Sequence, residues 1–202
     1  MWKFIVVVCQ TIRLVYFIDT FYTFTFMKIC TTNKKKKRIS LFNQTAKRFS
    51  TYVEIVKLDI WKGFYDRLQV YKRVLSKCKE DEICCFVDSY DVLINANTKE
   101  ILEKFNEYNC ELLIGAELNC FPDRLRSNYE LKFPETYSKY NYPNGGTYIG
   151  YAHAIMKMLN WKPKSEQKIM CKKHGDQAYL SEYYLENASD KILLDKHCRV
   201  FQ

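Results

Sequence analysis

Residues 83–94, ICCFVDSYDVLI, run from an uninterrupted apolar pentad (Ile83 to Val87) into two acids, Asp88 and Asp91. A strand with one wet face alternates apolar and polar residues, whereas five apolar residues in a row mark a strand covered on both faces. The neighbouring segments supply the covers. Upstream, Phe64, Leu68, Tyr71, Val74, Leu75 and Cys78 recur at helical spacing, and downstream Ile101, Leu102, Phe105 and Tyr108 do the same over 98–109. Strand patterns flank these helices: MKICTT (27–32), VEIVKL (53–58) and ELLIGAEL (111–118), with a further helix spacing of Ile39, Phe42, Ala46 and Phe49 between the first two. This alternation predicts an α/β domain, Rossmann-like, with a mostly parallel central sheet flanked by helices. Ligands of such sheets bind at the carboxyl ends of the strands, which is where Asp88 and Asp91 fall.

Two carboxylates leaving a buried strand are costly unless a cation or strong hydrogen bonds compensate them. Hard divalent ions such as Mn²⁺ or Mg²⁺ take one or two protein carboxylates and complete their shell with phosphate oxygens and water. The same spacing also fits a turn cap followed by a solvated acid, and the residues alone leave both readings open. Gly145 and Gly146 in YPNGGTYIGYA precede a further strand, TYIGYA, where glycine permits close approach of a ligand, a positive φ, or a hairpin turn after Asn144. In HGDQAYLSEYYL, Asp176 and Gln177 open a predicted helix, a position that suits an N-cap as well as a catalytic acid.

The 202 residues allow one domain with a sizeable core. Lys+Arg 32 against Asp+Glu 23 gives +9, which favours an anionic partner, but beyond the basic run Asn33–Arg38 no groove-reading motif supports nucleic acid. Lys34–Lys37 read as a solvated loop. Nine cysteines, an odd number with no Cys-x-x-Cys pair, exclude the common zinc ribbons and thioredoxin-type motifs and fit either one or two disulfides or buried thiols. Residues 1–26 are aromatic and β-branched with Lys3, Arg13 and Asp19 as their only charges. They form a hydrophobic extension distinct from the domain at 27–202, and a candidate signal peptide, signal anchor or membrane-associating segment.

FVDSYDVLI, AELNCFPD, YPNGGTYIGYA, GDQAYLSEYYL and LLDKHCRVFQ, in that order and spacing, resemble the glycosyltransferase domain of the procollagen lysyl hydroxylases and their viral relatives, which is related to the collagen galactosyltransferases. The resemblance covers about residues 27–202. It implies a GT-A nucleotide-sugar transferase fold and transfer of a hexose from UDP-glucose or UDP-galactose to hydroxylysine or galactosyl-hydroxylysine of a collagen-like protein. The implied reaction uses Mn²⁺ (or Mg²⁺), retains the anomeric configuration, and takes place in the endoplasmic reticulum lumen or, for a viral-type protein, the cytoplasm. By the same resemblance Asp88 and Asp91 match the metal-binding pair. Tyr90 matches the residue lying against the nucleotide, and Thr31 or Thr32 falls near the uridine. Phe121 stands beside the sugar pocket in place of a tryptophan, and Asn144 matches the asparagine of an Asn-Ser-Gly-Gly loop. Asp176, preceded by His174-Gly175 where the family carries an acidic run, matches the acid before Gln177 on the acceptor side. Arg67 falls where the family tends to have lysine, and is expected to assist at the phosphates. The family's chain continues past the point corresponding to Gln202 into a segment with a metal-binding histidine, so the domain reads as cut short there.

Other readings of these residues remain. His174, Asp176 and His197 match the ligands of an iron(II) facial triad only superficially, because they sit in an α/β pattern that opens a helix. Cys171, His174, His197 and Cys198 are a candidate structural zinc set. A transferase fold lacking its last ligand is also expected to serve as a binding or assembly module.

Overall fold

The computed structural model describes residues 5–6, 27–33, 40–57, 63–134 and 137–201. The basic run 34–37 and all of residues 1–26 except Ile5 and Val6 lie outside them. In chain order the elements are β1 (Ile5–Val6), β2 (Met27–Asn33), α1 (Ser40–Arg48), β3 (Val53–Lys57), α2 (Phe64–Leu75), β4 (Ile83–Val87), β5 (Val92–Leu93), α3 (Thr98–Asn106) and β6 (Leu112–Glu117). A 3₁₀ turn (Asp123–Leu125) then leads to α4 (Arg126–Lys132), β7 (Tyr142–Tyr151), α5 (Ala152–Leu159), α6 (Lys164–Asn187) and β8 (Ile192–Asp195). The first five segments anticipated from periodicity (β2, α1, β3, α2 and β4), together with α3 and β6, stand within a few residues of their predicted bounds.

Six strands form one sheet in the order β3-β2-β4-β7-β6-β8, while β1 pairs in parallel with β5 as a separate two-residue ladder. Strand β2 is parallel to β3 and β4, and β6 is parallel to β8. Strand β7 is antiparallel to both its neighbours, β4 and β6. The sheet is therefore mixed: β7 alone runs against the other five strands. The cause is the route of the chain after β6. Instead of crossing a face on a helix between parallel strands, the chain passes through the 3₁₀ turn and α4 and re-enters at β7 from the carboxyl edge, with Tyr142 beside Glu117 and Tyr151 beside Ile83. A strand that starts at the edge where its neighbour ended has to run backwards.

The apolar run of β4 divides by the two-residue period of a strand. Cys84 and Phe86 enter one core with Leu68, Tyr71 and Val74 of α2, Ile155 of α5 and Tyr179 of α6. Ile83, Cys85 and Val87 enter a second core with Phe42 of α1, Ile101 and Phe105 of α3, and Val200 and Phe201. On β6, Leu112 and Ile114 face the first core and Leu113 the second. Burial on both faces is thus what the unbroken run signalled. Phe86 packs with Tyr71 at 4.1 Å between ring centroids and with Tyr148 at 5.4 Å. Helix α3 starts on Asn97, whose side chain accepts from Glu100 N at 3.0 Å, an N-cap worth about 1 kcal/mol.

Candidate active site

At the carboxyl edge of the sheet a cleft of about 950 Å³ opens between the β4 terminus, the start of β7 and α6. Nine residues singled out in the sequence line it: Arg67, Asp88, Asp91, Phe121, Asn144, Gly145, Gly146, Asp176 and Gln177. Tyr90 stands exposed in the turn after β4 and is not among the lining residues. Thr31 lies in β2, paired with Ile55, and its side chain is outside the described residues.

Helix α6 explains the position of Asp176. Its 24 residues are broken at Gly175 (φ 76°, ψ 172°), a backbone conformation open to glycine, so a new helical run begins at Asp176. The break turns Asp176 into the cleft, where it meets Arg67 of α2. One guanidinium reaches three partners: Asp176, Asp88, and the carbonyl oxygen of Gly145 at 3.3 Å. Three elements are joined by this one side chain. Arg67 is buried, and although burial alone would lower its pKa, Asp176 and then Asp88 raise it well above the ordinary arginine value. Both flanks of the guanidinium, expected from the sequence to assist at the phosphates, are engaged here by carboxylates. Other basic side chains that line the cleft are Lys172 and Lys173, from the turn before the break, with His174 beside them.

Asp88 remains partly open, with 34% of its side chain facing the cleft. Burial pushes its carboxyl up to about 6; Arg67 pulls it down, and Asp176 and Asp91 push it up again. The site thus holds more negative charge than its one buried cation offsets. That surplus, made of hard carboxylate oxygens, suits a divalent cation of the Mn²⁺ or Mg²⁺ type.

The paired glycines lie inside β7, not before it, and make neither a hairpin nor a positive-φ turn. Close approach requires them. A Cβ on Gly146 would fall 2.4 Å from Asp88 Oδ2, and one on Gly145 would fall 2.6 Å from Gln177 Cβ. The main chain here is clamped further: Asp88 N donates to Gly146 O at 2.8 Å, and Gly146 N donates to Asn144 Oδ1 at 2.8 Å.

Glu117, at the end of β6, was not singled out in the sequence. Asn144 Nδ2 donates to its Oε2 at 3.1 Å and Gln177 Nε2 to its Oε1 at 2.5 Å, so Glu117 orients both amides. The available signal was its place at the carboxyl end of an apolar strand, the same place that drew notice to Asp88. Phe121 is exposed on the cleft wall, and its carbonyl accepts from Ser181 Oγ at 2.7 Å, which ties its loop to α6.

Among the described residues, no three His, Cys, Asp or Glu ligand atoms of the cleft lie within 4.8 Å of one another. The candidate zinc set Cys171, His174, His197 and Cys198 therefore does not come together, nor does the facial triad of His174, Asp176 and His197. None of the described cysteines, Cys78, Cys84, Cys85, Cys110, Cys120, Cys171 and Cys198, is joined in a disulfide. No described helix is long and apolar enough to cross a membrane.

Comparison with known proteins gives a family and several relatives. Residues 24–202 match the family model described as the PLOD GT domain. The chain is 28% identical over 184 residues to procollagen-lysine,2-oxoglutarate 5-dioxygenase 1 of Gallus gallus, covering 84% of this chain and 24% of that protein. It is 31% identical over 175 residues to the multifunctional procollagen lysine hydroxylase and glycosyltransferase of Caenorhabditis elegans, covering 79% and 23%. It is 33% identical over 128 residues to the multifunctional procollagen lysine hydroxylase and glycosyltransferase LH3 of Rattus norvegicus, covering 61% and 16%. The chain thus spans about a quarter or less of the length of these relatives.

Proposed function

The chain belongs to the PLOD glycosyltransferase-domain family, and on that premise we propose that it is a GT-A hexosyltransferase. It moves glucose or galactose from the UDP-sugar to hydroxylysine or galactosyl-hydroxylysine of a collagen-like protein, in the endoplasmic reticulum lumen. The observation that carries this reading is the convergence of Asp88, Asp91 and Asp176 on one cleft beside the Asn144-Gly145-Gly146 segment.

Asp88, through the carboxylate oxygen not taken by Arg67, and Asp91, exposed on the cleft wall, would hold Mn²⁺ or Mg²⁺. Two carboxylates suffice, since such ions fill their remaining positions with phosphate oxygens and water. When bound, the ion supplies Lewis-acid stabilisation to the departing diphosphate. Lys172 and Lys173 add positive charge on the same wall for that anion. Asp176, fixed by Arg67, presents negative charge to the sugar carbon as its bond to the diphosphate breaks, and orients the incoming hydroxyl. Arg67 is a positioning residue: it sets the two acids relative to each other. Tyr90 and Thr31 are assigned to the nucleotide and Phe121 to the sugar.

A second reading, a domain that binds without turnover, draws support from one feature: Arg67 already gives Asp88 and Asp176 an internal cation. The two separate in a thermal-shift series with UDP, UDP-glucose and UDP-galactose, with and without Mn²⁺, run beside a UDP-release assay. A metal-dependent rise in melting point with UDP release that Asp88→Ala abolishes supports the transferase. A rise without release supports the binding domain, and neither rise nor release defeats both.

A further inference from the structure

A second group of ligating side chains lies at the other end of β4. The turn from α2 into β4 reads Cys78-Lys79-Glu80-Asp81-Glu82-Ile83-Cys84. Cys84 is near the amino end of the strand, about 13 Å of extended chain from Asp88. One ligand atom each of Cys78, Glu82 and Cys84 lies within 4.8 Å of the others, and the two sulfurs are 3.7 Å apart.

That separation is informative. Two thiolates bound to one tetrahedral zinc at about 2.3 Å each stand about 3.8 Å apart, whereas sulfurs in a disulfide stand about 2.05 Å apart. The pair therefore already has the spacing of zinc ligands and would have to close by about 1.6 Å to bond to each other. Soft thiolate donors beside a single carboxylate select zinc over the hard ions suited to the cleft. Cys84 is fully buried while Cys78 and Glu82 are half-buried, which leaves an entry path and a fourth coordination position on the solvent side.

We infer that Cys78, Glu82 and Cys84 form a zinc-binding site that pins the end of α2 to the start of β4. These two elements carry Arg67 and Asp88, so the metal braces the ion pair across the cleft from behind. The site is independent of the transferase reading. Binding releases the thiol protons, including the one that Cys78 Sγ now directs to Val74 O at 3.4 Å.

The test uses the full chain, reduced and freed of metal, titrated with Co²⁺ and then Zn²⁺. The expected result is a sulfur-to-cobalt charge-transfer band that Zn²⁺ bleaches, with a rise in melting point on adding Zn²⁺. Cys78→Ser, at a half-buried position, is expected to weaken binding at least about a hundredfold and Glu82→Gln about tenfold. The paired change Asp88→Asn with Asp91→Asn is expected to leave the band unchanged, which separates this site from any metal in the cleft. The inference is overturned by the absence of the band in the reduced chain, or by a band that survives Cys78→Ser. It is equally overturned by a protein isolated two hydrogens lighter, with Cys78 and Cys84 joined and closed to alkylation.

Discussion

Asp195 and Asp88 are both aspartates at the carboxyl end of a sheet strand, yet their surroundings differ in kind. Asp195, at the end of β8, is fully buried. Its oxygens accept from the backbone N–H groups of Arg199 at 2.9 Å, Val200 at 2.8 Å and Phe201 at 2.6 Å, and from the Tyr108 hydroxyl. Its charge is dispersed over donors that come together only in the folded chain. Asp88 shares one guanidinium with Asp176 and keeps an open face to the cleft, and burial pushes its carboxyl up to about 6. A carboxylate saturated by local N–H groups holds the fold. One left short of positive charge beside a cleft is arranged for something that arrives.

The largest expected effect tests the open member of that comparison. Asp88→Ala is predicted to lower UDP-sugar turnover at least about a thousandfold, or about 4 kcal/mol of transition-state stabilisation. The melting point should stay near that of the parent, because Arg67 keeps Asp176 as a partner. Loss of folding instead, seen by circular dichroism, would place Asp88 in the same structural class as Asp195. Asp195→Ala should do the reverse. Three backbone N–H groups and the Tyr108 hydroxyl lose their acceptor, and with bonds to a charged group contributing about 1.5–3 kcal/mol each, the four together cost at least about 6 kcal/mol. For a chain of this size that corresponds to a fall of at least about 12 °C in melting point. Turnover per folded molecule, measured at low temperature, should be unchanged.

Gly146→Ala falls between the two. The added methyl would sit 2.4 Å from Asp88 Oδ2 and must displace either the carboxylate or β7. Overpacking of this type costs about 1–3 kcal/mol. Because the carboxylate is the more mobile of the two, the predicted loss appears first as weaker Mn²⁺-dependent UDP binding by calorimetry and only second as a lower melting point.

The same contrast explains what could be read in advance. Helices α1, α2 and α3 and strands β2, β3, β4 and β6 follow from spacing, since each buries a stripe or a face that its own residues announce. The direction of β7 does not: TYIGYA looks the same run either way, and the reversal is decided by the start of β7 at Tyr142, beside Glu117 at the end of β6. Asp88 and Asp176 were legible as acids next to apolar runs. Their common tie to Arg67 was not, because the three residues are brought together by the packing of α2 on α6 and β4. Glu117 was overlooked for a related reason. It becomes part of the site through Asn144 and Gln177, and neither is near it in sequence.

The smallest effect concerns a polar group that belongs to neither class. Among the described residues the buried Tyr148 hydroxyl has no hydrogen-bond partner, and burial raises its pKa well above the ordinary tyrosine value. Its ring packs on Phe86 and edge-on to Tyr71, contacts that phenylalanine would keep. An unpartnered buried donor costs about 1–3 kcal/mol, so Tyr148→Phe is predicted to stabilise the protein by about 1 kcal/mol, or a few degrees in melting point. If the hydroxyl is merely a residue of packing, turnover stays constant as stability rises. If turnover falls while the melting point climbs, the hydroxyl serves the acids of the cleft, whose charges it faces from below. Tyr148 would then join Asp88 as a group held in an unfavourable state for what the cleft receives, a trade of stability for activity.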